Sequence, residues 1–170
     1  AMVAQADSMT IEMVRSLREQ LPVTVTSEVI EGVEVHRVAP VTSDPRHDDH
    51  LFVYVHGGAF VLNGGEASLV EPILIAHRTG MQVLSIDYRM PPSWPAPAGT
   101  DDVMAVYRSV LRERSAHSIA LGGSSGGGNM CMVTVQHAIR DGIDVPGALY
   151  LGTPGADMTD TGDSVFINEG

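Results

Sequence analysis

From residue 51 onward the chain alternates short apolar runs with longer amphipathic stretches, and this alternation most constrains its fold. Leu51–Val55, Met81–Ile86, Ser118–Leu121 and Ala148–Leu151 read as strands. Between them, Ala67–Thr79, Asp101–Arg114 and Ser125–Arg140 carry apolar residues at helical spacing, and Gly80 and Gly142 supply stop signals. Strands joined through helices require right-handed crossovers and a mostly parallel sheet. Ligands of such sheets gather at the carboxyl ends of the strands. Three glycine- or proline-rich segments, 56–65, 88–100 and 122–128, each follow a strand and are expected along that edge.

The first 50 residues differ. Met9–Leu21 carries an apolar stripe at helical spacing, with Ser8 or Thr10 available as N-cap and Pro22 as a stop. Val23–Ile30 and Val33–Val38 read as two strands joined at Glu31-Gly32, and Ala39–His50 as a polar surface loop. We therefore expect residues 1–50 to form an N-terminal cap helix and leading hairpin, and residues 51–170 to form the core.

Composition removes several classes of chemistry. The net charge of −11 opposes binding to nucleic acid. All ten basic residues are arginine, which excludes the lysine of a P-loop and of a pyridoxal phosphate Schiff base. The glycine cluster 122–128 does not fit G-x-G-x-x-G in any register. The lone Cys131 excludes an internal disulfide and a cysteine zinc site and reads as a small core residue. His47-Asp48-Asp49-His50 has ligand residue types but no converging third element, so no metal or cofactor is expected. No stretch is long and apolar enough to span a bilayer, and no apolar leader is visible near the N-terminus. The expected location is the cytoplasm.

Chemistry concentrates in two glycine motifs. Gly122-Gly123-Ser124-Ser125-Gly126 fits G-x-S-x-G at a strand-to-helix turn, so Ser124 is expected to be the strained, exposed nucleophile. His56-Gly57-Gly58-Ala59-Phe60 follows the strand 51–55 and offers main-chain N–H groups for an oxyanion. Gly58, Ala59 and the residue after the nucleophile, Ser125, are the expected donors, Ala59 on condition that its φ is negative.

With these motifs in place, the chain resembles the hormone-sensitive-lipase-like branch of the α/β-hydrolases. That branch carries H-G-G-G, then D-Y-R-x-A-P-E-x-P-x-P-A-x-x-D-D, then G-D-S-A-G-G. The middle element is present without gaps as Asp87 to Asp102, and Pro154–Ser164 looks like the branch's segment after the next strand. Four departures stand out in this alignment. Ala59 replaces the third glycine, Ser93 a glutamate, Gly123 the aspartate before the nucleophile, and Ser125 an alanine. Asp87, Asp101 and Asp102 match positions that read as structural, with Arg89 as partner of Asp101 or Asp102. Trp94 either lines an acyl pocket or packs its loop.

The resemblance implies an α/β-hydrolase fold and hydrolysis of short- to medium-chain carboxylic esters or lactones through an acyl-enzyme. It also implies a triad Asp and His on loops after later strands. The residues after Ser124 suffice for one helix, one strand and a loop, so the fold is expected to be incomplete and the Asp and His to lie elsewhere. A complementing C-terminal fragment or second chain would supply them, and a homo-oligomer is possible for a sheet with an open edge. His117 and His137 lie roughly 20 Å along their elements from Ser124. In the branch His56 orders the oxyanion loop, and His77 reads as a helix-dipole partner. The competing expectation is a catalytically silent hydrolase that serves as a binding or oligomerisation module.

Overall fold

The computed structural model describes residues 2–159. Their element order is α1 (Met2–Gln20), β1 (Val23–Ile30), β2 (Val33–Pro40), β3 (Leu51–Val55), α2 (Val70–Thr79), β4 (Gln82–Asp87), α3 (Ala98–Glu113), β5 (Ile119–Ser124), α4 (Gly126–Asp141) and β6 (Ala148–Gly152). The six strands form one sheet in the order β1-β2-β4-β3-β5-β6. β1, β2 and β4 pair antiparallel, whereas β4, β3, β5 and β6 run parallel. The leading hairpin thus continues the sheet that the later strands build.

Alternation along the strands assigns the two faces. Val53, Val55, Leu84, Ile86 and Leu121 pack with Val103, Tyr107, Met130 and Cys131, burying one face under α3 and α4. Tyr54, Val38 and Val83 point the other way and pack with Val14, Leu69 and Ile73, under α1 and α2. The three central strands are buried on both faces, as parallel strands between helical layers must be.

The expected elements are all present, and the differences lie at their ends. A 3₁₀ turn over Gly65–Leu69 precedes α2, so the regular helix starts three residues later than the apolar spacing indicates. β5 does not stop at Leu121 but runs to Ser124. Glycine is disfavoured in strands, which is why the sequence reading ended the strand before Gly122. In the structure Gly122 and Gly123 are paired with Tyr54 and Val55 of β3. Pro154–Ser164, which carries part of the family resemblance, lies only partly within the described residues.

Candidate active site

The extension of β5 moves the strand-to-helix turn by one residue. Ser124 is the last strand residue and pairs with Gly152 of β6. It shares strand parity with Gly122, the partner of Tyr54, so its side chain enters the α1/α2 face. There its Oγ donates to Glu71 Oε1 at 2.7 Å and lies 3.2 Å from the Tyr54 hydroxyl. Burial, together with a hydrogen bond to the Glu71 carboxylate, holds the Tyr54 phenol protonated well above its ordinary range.

The strain expected at Ser124 sits instead at Ser125. Its backbone has φ 52° and ψ −119°, and it caps α4. A non-glycine residue held there costs about 1–3 kcal/mol and persists only where its surroundings enforce it. Those surroundings are visible two residues to either side. A Cβ on Gly123 would stand 2.2 Å from the Val55 carbonyl oxygen and 2.8 Å from the Gly127 carbonyl carbon; one on Gly127 would stand 2.0 Å from the same oxygen. A Cβ on Gly126 would meet only the Phe60 ring, at 3.1 Å and beyond. The glycines that the turn requires are therefore 123 and 127, and the residue they flank is Ser125. Ser125 is exposed at the carboxyl edge of the sheet, and among the described residues its hydroxyl makes no hydrogen bond.

This register also corrects the expected oxyanion donors. The Ser125 N–H donates to Gly152 O at 2.8 Å and is not available to a substrate. The residue after the strained serine is Gly126, first in α4, whose N–H has no acceptor within the helix. Ala59 takes φ 51°, not the negative value on which its part was conditional. Gly58, at φ 120°, turns the chain so that its carbonyl accepts from Val61 and Leu62 N–H. Gly57 reaches the elbow most closely: a Cβ there would lie 2.8 Å from Ser124 O and 3.3 Å from Ser125 Cβ.

Buried groups behind this loop hold it in place. His56 Nδ1–H donates to Gly57 O at 2.8 Å, and its ring stacks on Tyr88 at 4.2 Å. Burial lowers the His56 pKa, favouring the neutral ring. Tyr88 Oη–H donates to His56 O, and the Asn63 N–H at the loop's far side donates to Asp7 Oδ1 of α1. Asp87 Oδ1 accepts from Gly65 N–H. Asp102, and not Asp101, takes Arg89: its carboxylate accepts from the Arg89 main-chain N–H, Nε and Nη2 at 2.7–3.0 Å. The Arg89 guanidinium in turn lies 5.1 Å above the Trp94 ring, and Trp94 lines a cavity of about 200 Å³ with Phe60 and Met130. Glu71 was not anticipated from the sequence. Nothing in its local pattern distinguishes it from any acidic residue in the first turn of a helix.

Comparison with known proteins agrees with this fold. The α/β-hydrolase-fold family matches residues 52–169. The crystal structure of esterase E25 superposes with a TM-score of 0.94 at 57% identity, covering 99% of this chain and 51% of that one. An acetyl-hydrolase of Streptomyces hygroscopicus is 30% identical over 131 residues, 76% of this chain and 44% of its own length. The hormone-sensitive lipase of Bos taurus is 31% identical over 118 residues, 65% of this chain and 15% of its own. This chain thus spans about half the length of the first two relatives. With its mixed, mostly parallel sheet, its strained serine turn and these relatives, the chain belongs to the α/β-hydrolase fold family, in its hormone-sensitive-lipase branch.

Proposed function

We propose that the protein is a carboxylic ester hydrolase whose nucleophile is Ser125. The observation that carries this reading is the backbone of Ser125, held at φ 52° and ψ −119° between two glycines that tolerate no Cβ. In this register the branch's motif aligns as Gly123-Ser124-Ser125-Gly126-Gly127. Ser124 takes the aspartate's place and Gly126 the alanine's, so two of the four departures change residue while their number stays the same.

Ser125 Oγ attacks the ester carbonyl, and the negative oxygen that develops is met by main-chain N–H groups of Gly126 and the loop beginning at Gly57. The positive end of α4 adds to that field. The alcohol leaves, an acyl-Ser125 ester remains, and water hydrolyses it. A histidine oriented by a carboxylate takes the Ser125 proton and delivers it to the leaving oxygen. No histidine among the described residues hydrogen-bonds Ser125, so this pair is assigned to a further C-terminal segment or a second chain. Substrates are short- to medium-chain carboxylic esters or lactones.

The test is hydrolysis of p-nitrophenyl butyrate by the wild type and by the Ser125→Ala and Ser124→Ala variants. The expected result is loss of about three orders of magnitude or more in kcat for Ser125→Ala, with Ser124→Ala retaining turnover. Wild-type turnover that survives Ser125→Ala refutes the assignment. No turnover in any preparation favours the silent binding module.

A further inference from the structure

The cavity on the α1/α2 side of Ser125 holds about 270 Å³ and is lined by Met13, Tyr54, Asn63, Val70, Glu71 and both serines. Glu71 is the one charged side chain among the described residues that line it. His56 also lines it, but burial favours its neutral form. The arginines on the nearby helix face in another direction: Arg15 and Arg18 approach Glu66 at 3.8 and 3.9 Å. Among the described residues Glu71 therefore has no cationic partner. Its carboxylate is held by neutral hydroxyls, accepting from Ser124 Oγ at 2.7 Å and hydrogen-bonded with Tyr54. Glu71 stands in the first turn of α2, where the helix dipole favours a negative charge.

We infer that Glu71 makes this cavity a subsite for a cationic group, so that esters carrying an ammonium are preferred over neutral isosteres and esters carrying a carboxylate are rejected. A half-buried carboxylate held only by neutral hydroxyls lowers the energy of a nearby cation and raises that of an anion. Met13, Val70 and Tyr54 supply the apolar and aromatic surface that an alkylammonium also favours. The overall charge of −11 draws cations toward the same surface. As a substrate preference, this inference rests on the proposed ester hydrolysis; as a binding property, it does not.

Two measurements separate the parts. In the first, the protein is titrated with millimolar tetramethylammonium chloride and followed by amide NMR, in the wild type, Glu71→Gln and Ser124→Ala. Saturable shifts at Tyr54, Val70 and Glu71 are expected in the wild type and in Ser124→Ala, where the charge remains, and their loss is expected in Glu71→Gln. Absence of wild-type shifts, or equal shifts in Glu71→Gln, overturns the inference. The second compares kcat/KM for butyrylcholine and its neutral isostere 3,3-dimethylbutyl butyrate. A preference of about two- to fivefold for the cationic ester is expected, the size of one solvent-accessible charge pair, falling toward unity in Glu71→Gln. A ratio that the substitution leaves unchanged overturns the substrate preference. Loss of all turnover with binding intact instead counts against the ester hydrolysis proposed above.

Discussion

The register of the elbow makes a quantitative prediction about two adjacent glycines. An alanine at 127 places its Cβ 2.0 Å from Val55 O and 2.6 Å from His56 O. An ordinary carbon–oxygen contact needs roughly 3.2 Å or more, so one chain must move by about an ångström. Both neighbours are main chain at the end of β3, which is hydrogen-bonded on both sides. The strain has no flexible side chain to absorb it. Overpacking of this kind costs about 1–3 kcal/mol and more where backbone must shift, so we expect about 3 kcal/mol or more for Gly127→Ala. An alanine at 126 meets only the edge of the Phe60 ring, 3.1–3.3 Å away. It also gains up to about 1 kcal/mol of helix propensity over glycine, leaving a net change within about 1 kcal/mol. Urea unfolding followed by circular dichroism separates the two. With a slope of about 2 kcal/mol per molar, Gly127→Ala should lower the midpoint by about 1.5 M, and Gly126→Ala should move it by less than about 0.5 M. If Gly126→Ala proves as destabilising as Gly127→Ala, the elbow is centred on Ser124 and the reasoning fails.

Three further outcomes follow from contacts around the site. Asp102→Ala removes the acceptor of the Arg89 main-chain N–H and both guanidinium bonds; the melting temperature should drop by about 4 °C or more, and an unchanged melt would show the pair to be incidental. Tyr88→Phe deletes the bond to His56 O at 3.0 Å, at a cost of about 1 kcal/mol in chemical denaturation; a neutral result would mean that the stack with His56 alone holds the ring. Burial pushes the Cys131 thiol up to about 12, above its value of about 8.5 in the unfolded chain. The folded state then resists ionisation that the unfolded state accepts. Stability should be intact below about pH 8.5 and fall at higher pH by up to about 1.4 kcal/mol per unit. Cys131→Ala should flatten that fall in urea titrations, and an equally steep decline in the variant would assign it to other groups.

The fold was legible because apolar runs at strand length alternate with helical stripes from residue 51 on, and because Pro22, Gly80 and Gly142 mark the ends. The displaced turn has a specific cause. The six positions Gly122 to Gly127 satisfy G-x-S-x-G in either of two registers, because glycines stand at 122, 123, 126 and 127. Local propensity ends the strand before glycine, which selects Ser124. Pairing of Gly122 and Gly123 with β3 overrides that propensity and puts the strained turn at Ser125. The same tertiary override puts Ala59 at positive φ, where an isolated chain would disfavour it. Glu71 lies 53 positions from Ser124 along the chain, and only the packing of α2 on the sheet brings their side chains together.

The central claim is that Ser125, and not its neighbour, is the reactive serine. Treatment with a fluorophosphonate followed by tandem mass spectrometry of the peptide spanning residues 115–140 reads this directly. We expect a single phosphonyl adduct on Ser125 that disappears in Ser125→Ala and persists in Ser124→Ala. An adduct on Ser124, or labelling that survives Ser125→Ala, would contradict it.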